Sequence, residues 1–140
     1  MKGIYILEIY IEKTKTISVG ALGYIKFEKG RYFYVGSAQN NMEKRIERHL
    51  LQNKKIRWHI DYLLSENNVK VINVYYKIAG KKEECTIAKK MLENGYGVRG
   101  FGSGDCRCFS HLIMSEKIMS ENSFEPKKEG FYFFQGAKNQ

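Results

Sequence analysis

The apolar positions of this chain change period along its length, and the changes mark the elements. Residues 1–12 are almost unbroken in Ile, Leu and Tyr, which predicts a strand buried on both faces, with Tyr5 and Tyr10 inside it. Residues 13–15 turn, 16–19 predict a short strand, and Gly20 and Gly23 are loop or bulge positions. Alternation over 24–28, the Lys29-Gly30 turn and the aromatic run 32–35 predict a β-hairpin. Gly36-Ser37-Ala38 breaks that run. Asn40 or Asn41 then caps a helix over 41–52, in which Met42, Ile46 and Leu50 recur at helical spacing and face the core. A short helix over 58–65 buries Trp58, Tyr62 and Leu63, with His59 and Asp61 near its start, where an aspartate caps the helix or meets its dipole. Alternation over 69–79 predicts a strand.

The helix expected over 83–94 ends at Gly95 and carries Glu84, Ala88 and Met91 on one stripe, with Leu92 beside it. A fourth helix is expected over 110–121, with Leu112, Ile113 and Ile118 or Met119 inward. Residues 131–134 form a late strand or packed tail, and 136–140 a loose end. The pattern amounts to one small α+β domain over 1–121, a central mixed or antiparallel sheet flanked by helices, and a C-terminal extension over 122–140.

Composition narrows the class. A chain of 140 residues suits one domain, and 43% hydrophobic residues suffice for a real core. No apolar run is long enough for a transmembrane helix, and Glu8 inside the first apolar run argues for a strand over a signal peptide. Three cysteines without a secretion signal suggest reduced thiols and a cytoplasmic setting. A net charge of +9 favours a polyanionic partner, nucleic acid first, although lysine-rich chains also exist that bind nothing acidic.

Some residues resist a purely structural explanation. Arg45 and His49 stand four apart, on one face beside the apolar stripe. From Glu43 to Arg57, six Lys/Arg oppose two Glu, and Lys44, Arg48, Lys54, Lys55 and Arg57 form a candidate nucleic-acid surface. His59 could orient the site or contact phosphate. A solvated helix face explains Lys44 or Arg48 more readily than Arg45 and His49. Glu84 shares a stripe with buried positions, either as a first-turn carboxylate favoured by the helix dipole or as a metal ligand. The glycine-rich segment 95–104 could let backbone approach a phosphate, but it matches no P-loop or dinucleotide pattern. Cys106, Cys108 and His111, with Cys85, could in principle hold zinc. The Cys-x-Cys spacing is short for a tetrahedral site, so buried thiols are the favoured reading.

Gly3-Ile4-Tyr5 and Tyr34-Val35-Gly36, followed by Arg45 and His49, resemble the motif of GIY-YIG nucleases. YVGSA, RxxRH at Arg45 to His49, WHIDYLL at Trp58 to Leu64 and GFGSGDC at Gly100 to Cys106 resemble a small GIY-YIG-related family, archaeal and bacterial, sometimes fused to an endonuclease III-type DNA glycosylase. The two tripeptides stand farther apart here than in ordinary members, which implies an extra hairpin between them that leaves Tyr5 and Tyr34 neighbours.

The resemblance implies a divalent-metal-dependent endonuclease related to DNA repair, acting on nucleic acid, DNA ahead of RNA. Glu84 would hold Mg2+ or another divalent cation. Tyr5 would act as general base or position the water, and Arg45 would bind phosphate and lower the phenol's pKa. Tyr34 would bind phosphate or order the water, and His49 would polarise a tyrosine or shuttle a proton. The family's late asparagine has no clear counterpart, although Ser103 or Asp105 could replace it. Two other readings stay open: a nucleic-acid-binding module with weak or no cleavage, and an interaction domain that docks to a repair enzyme.

Overall fold

The computed structural model describes residues 2–51, 53–116 and 125–134. Its centre is β1 (Gly3–Ile11), buried along nearly its whole length, as the continuous apolar run requires. It pairs antiparallel with β4 (Gly30–Ala38) on one side and β5 (Val69–Lys77) on the other. Tyr5, Leu7, Ile9 and Ile11 face a core closed by α1 (Met42–Leu50) and α2 (His59–Leu64). Ile4 and Ile6 face the other way, with Phe33 and Val35, against Ile87, Ala88 and Met91 of α3 (Lys82–Leu92). The domain is therefore α+β, with an antiparallel sheet between helices on both faces. Among the described residues no helix is long and apolar enough to cross a membrane.

The segment between the two tyrosines contains a hairpin of its own. β2 (Lys15–Ser18) pairs with β3 (Tyr24–Phe27), and a 3-10 turn at Gly20–Leu22 joins them. This corrects the expectation that 24–28 would pair with 32–35. A strand in the centre of a sheet must be apolar on both faces, and β3 is mostly exposed. The aromatic run of β4 meets that demand and takes the place beside β1.

The helix expected from residue 110 is also corrected. Leu112–Met114 is a strand, β7, which pairs with β4 at Tyr34↔Leu112, Phe33↔Ile113 and Tyr32↔Met114. A short apolar run does not distinguish helix from strand by its period, and here the open edge of β4 decides. Ile118, Met119 and the closing residues 136–140 lie outside the described residues. β6 (Tyr96–Gly97) pairs with β7 at one edge of the sheet, and β8 (Tyr132–Phe133) pairs with β5 at the other. The sheet order is β6-β7-β4-β1-β5-β8.

Two local features position the site. Asn41, in a left-handed conformation, accepts the Lys44 N–H at 3.2 Å and starts α1 directly after β4. Gly36 lies opposite Tyr5 in the β1–β4 register, and a Cβ there would sit 2.5 Å from the phenol ring. The glycine is what lets the ring lie flat across the strand.

Candidate active site

A cleft of about 700 Å³ opens where β1 begins and β4 ends. Tyr5, Tyr34 and Ser37 contribute from the sheet, Arg45 from α1, and Arg57, Trp58 and His59 from the start of α2. Glu84 comes from the first turn of α3. Although α3 packs on the opposite face of the sheet from α1, its N-terminal turn reaches the end of β4 and brings Glu84 into the same cleft.

Tyr5 is 1% exposed, and its hydroxyl lies 2.6 Å from Nε2 of His49, which is 2% exposed. The Tyr34 ring flanks the same imidazole, centroids 6.2 Å apart. Tyr34 stands two positions before Gly36, the partner of Tyr5 on β4, so the two phenols share one face of the sheet. Burial holds the Tyr5 phenol well above its usual pKa, and the Arg45 guanidinium only partly opposes this. Tyr34 is also raised, by burial first and then by Tyr5 and Glu84. Both phenols are therefore neutral at ordinary pH. The resemblance implied that Arg45 would lower Tyr5; its charge acts in that direction, but burial outweighs it.

Burial lowers His49 to about 3, and although Asp61 opposes the shift, Lys54, Arg48 and Arg45 reinforce it. Its Nδ1 has no hydrogen-bond partner among the described residues. A buried neutral histidine makes the fold acid-sensitive. Below the ordinary value of ~6.5 the unfolded chain takes up a proton that the native state refuses, so stability falls by up to ~1.4 kcal/mol per pH unit until the folded value is reached. Denaturant titrations at pH 6.5 and pH 5 are expected to show the wild type losing about 2 kcal/mol more than His49→Gln. Equal losses would show that the imidazole does not resist protonation.

Arg45 donates from Nη1 to the Ser37 carbonyl at 3.0 Å and lies 4.5 Å above the Trp58 ring. The Ser37 hydroxyl donates to Glu84 Oε1 at 2.6 Å, and His111 Nδ1 lies 2.9 Å from Oε2. Ser37 thus links the arginine through its backbone to the carboxylate through its side chain. Glu84 is 13% exposed.

The basic residues divide. Arg48 makes a fork onto Asp61, both bonds 3.0 Å, and donates to the Lys55 carbonyl at 2.6 Å. Lys54 donates to the His49 carbonyl at 2.7 Å, near the C-terminus of α1. These two side chains are engaged in holding the fold. Lys44 and Lys55 are exposed, away from the cleft wall. Arg57 is exposed, lines the cleft and lies 5.3 Å from Trp58. His59 accepts the Gly102 N–H on Nδ1 at 2.9 Å, and burial lowers its pKa. Its proton therefore sits on Nε2. The bond also fixes the glycine-rich loop as a wall of the cleft. Gly102 has φ +73°, and a Cβ there would meet His111 and the Tyr34 ring at 3.0 and 3.2 Å.

Ser37, Trp58 and Lys81 also belong to the cleft wall, and sequence reasoning had given none of them a role there. A serine directly after the strand glycine was a usable signal for Ser37. Lys81 carries no pattern of its own; it reaches the cleft rim through an ion pair with Asp105, 3.2 Å.

Residues 4–131 match the model of a family described as "Domain of unknown function DUF123". Neither the curated proteins nor the solved structures include a match to this chain.

Proposed function

The chain belongs to the DUF123 family, and from that premise together with the cleft we propose that it is a divalent-metal-dependent phosphodiesterase of the GIY-YIG type. It would act on nucleic acid in the cytoplasm, DNA ahead of RNA, in a role related to DNA repair. One observation carries the reading: Tyr5, Tyr34, Arg45 and Glu84, from four separate elements, line a single cleft with His49 directly behind Tyr5. A packed structural core has no need to bring a guanidinium, a carboxylate and two phenols to the mouth of one opening.

Glu84 is the residue that would hold Mg2+. Ser37 contacts one of its oxygens and His111 the other, and a carboxylate has acceptor capacity beyond two such contacts. A magnesium ion that keeps most of its waters asks for only one or two carboxylates beside the substrate's phosphates. When bound, such an ion polarises the phosphate and stabilises the leaving oxygen. Arg45 and Arg57 would hold the phosphate, with the forked geometry that suits it. Tyr5 would take a proton from the attacking water only as it passes its own to His49 Nε2, 2.6 Å away. Oxygen then attacks phosphorus, and the bond to the leaving sugar oxygen breaks. Phosphate bound at Arg45 would offset part of the positive field that helps depress His49, making the imidazole a better acceptor while substrate is present.

The raised phenol also favours a second reading, a binding module that retains the cleft without efficient cleavage. An assay on single- and double-stranded DNA and RNA separates the two. The nuclease reading expects Mg2+-dependent nicking that a chelator stops, and a ~10²–10³-fold lower kcat/KM in Arg45→Ala, the range seen when one charge-stabilising donor is removed. Folded protein that binds with steep salt dependence, yet yields no metal-dependent product on any substrate, would leave the binding module standing.

A further inference from the structure

We propose that Cys85, Cys106, Cys108 and His111 form a closed site for one zinc ion, which ties the glycine-rich loop to the first turn of α3. One donor atom from each residue lies within 4.8 Å of all the others. His111 Nε2 is 3.3 Å from Cys106 Sγ and 3.9 Å from Cys85 Sγ. Zinc bonds of ~2.3 Å to sulfur and ~2.0 Å to nitrogen place tetrahedral ligands roughly 3.5–3.8 Å apart, so the cluster is already near that size.

The spacing of Cys106 and Cys108 alone favoured buried thiols, but the fold brings Cys85 and His111 to the same place. All three thiols are half-buried and free. Cys85 comes from α3 and His111 from the start of β7, so neighbouring cysteines need not form the site alone. The orientation of His111 is the decisive detail. Its Nδ1 faces two acceptors, Glu84 Oε2 at 2.9 Å and the Val35 carbonyl at 3.2 Å, so the ring proton sits there. Nε2 faces the sulfurs of Cys106 and Cys85. A metal-bound histidine has this same arrangement, with its second nitrogen held by a carboxylate or a backbone carbonyl.

Three thiolates and one imidazole complete a four-coordinate shell, which makes the site structural. It has a consequence for the cleft nonetheless. Asp105 and Gly104 precede Cys106 and line the cleft, while Glu84 adjoins Cys85 and contacts His111. The ion would therefore anchor one wall of the cleft and the carboxylate facing it. This inference does not rest on hydrolysis, and its test needs no activity.

The full chain, produced in zinc-supplemented medium and purified without chelator, is expected to carry one zinc per chain by atomic emission. Its three thiols should react with a thiol reagent only after chelation. Cobalt exchanged into the wild type should give intense tetrahedral d–d bands and thiolate charge-transfer bands, and this measurement requires no variant. Cys106→Ser should lose most of the metal. Folded wild type without zinc and with three reactive thiols would overturn the proposal. So would iron in place of zinc, a disulfide between two of these cysteines, or a six-coordinate cobalt spectrum.

Discussion

Tyr5→Phe is expected to slow strand cleavage by ~10²–10⁴-fold under single-turnover conditions, the range for losing a positioned general base. It should do so with little change in substrate affinity measured in the presence of chelator. The substitution removes a single oxygen. The ring lies across Gly36 and is fully packed, so phenylalanine keeps the shape of the site. What disappears is the contact to His49 Nε2, and with it the proposed route for a water proton to the imidazole. Arg45 and Arg57 remain in place to bind phosphate. The variant should also lose ~1–3 kcal/mol of stability, because a His49 nitrogen is left without a partner in a site that excludes water. Unchanged cleavage by a folded Tyr5→Phe protein would move the proton transfer to another group. Unchanged cleavage in both Tyr5→Phe and Arg45→Ala would remove the cleft from the chemistry.

Those parts of the fold with a strong local pattern were legible in the sequence. The run of β1 could only be a central strand, and Met42, Ile46 and Leu50 defined α1 to within two residues. Pairing was not legible where it depended on competition. Nothing within 24–35 tells which of two neighbouring strands will win the place beside β1; that follows from burial on both faces, a property of the whole sheet. Likewise Leu112–Met114 became a strand because the edge of β4 was open.

The candidate site shows the same division. Arg45 and His49 stood out because helical spacing put them beside an apolar stripe. Glu84 stood out as a carboxylate among buried positions. The environment of each was not legible. A tyrosine has one ordinary pKa in sequence, and only the packed structure shows that burial outweighs the adjacent guanidinium. Spacing likewise could not foretell that Cys85 would join residues more than one element away, because that proximity is made by the sheet and not by the chain.

Arg48, read as a solvated helix face, and Asp61, read as a helix cap, together support the site, and they give the largest expected effect on stability. Asp61 is 0% exposed and accepts four bonds: two from the Arg48 fork at 3.0 Å, and the N–H groups of Arg57 and Trp58 at 2.9 and 3.0 Å. Burial pushes its carboxyl upward, but the Arg48 hydrogen bonds and the two backbone donors more than offset that and hold it below the usual range. Asp61→Ala would leave a guanidinium and two backbone N–H groups unpaired in a largely closed site. Breaking one side of a buried pair costs about 3–5 kcal/mol, mostly the penalty for the partner left behind. Asp61→Asn, which retains an acceptor oxygen, should cost clearly less. Both follow from urea denaturation midpoints of the purified variants, and a loss below ~1 kcal/mol in Asp61→Ala would mean that water replaces the carboxylate. The damage should extend to the cleft. Arg48 lies 4.4 Å and Arg45 4.5 Å from the Trp58 ring, and Asp61 holds the backbone of Trp58. Once that anchor is gone, the indole and the Arg45 guanidinium packed against it lose their fixed position. Substrate affinity should therefore fall along with stability, whereas Tyr5→Phe leaves it intact.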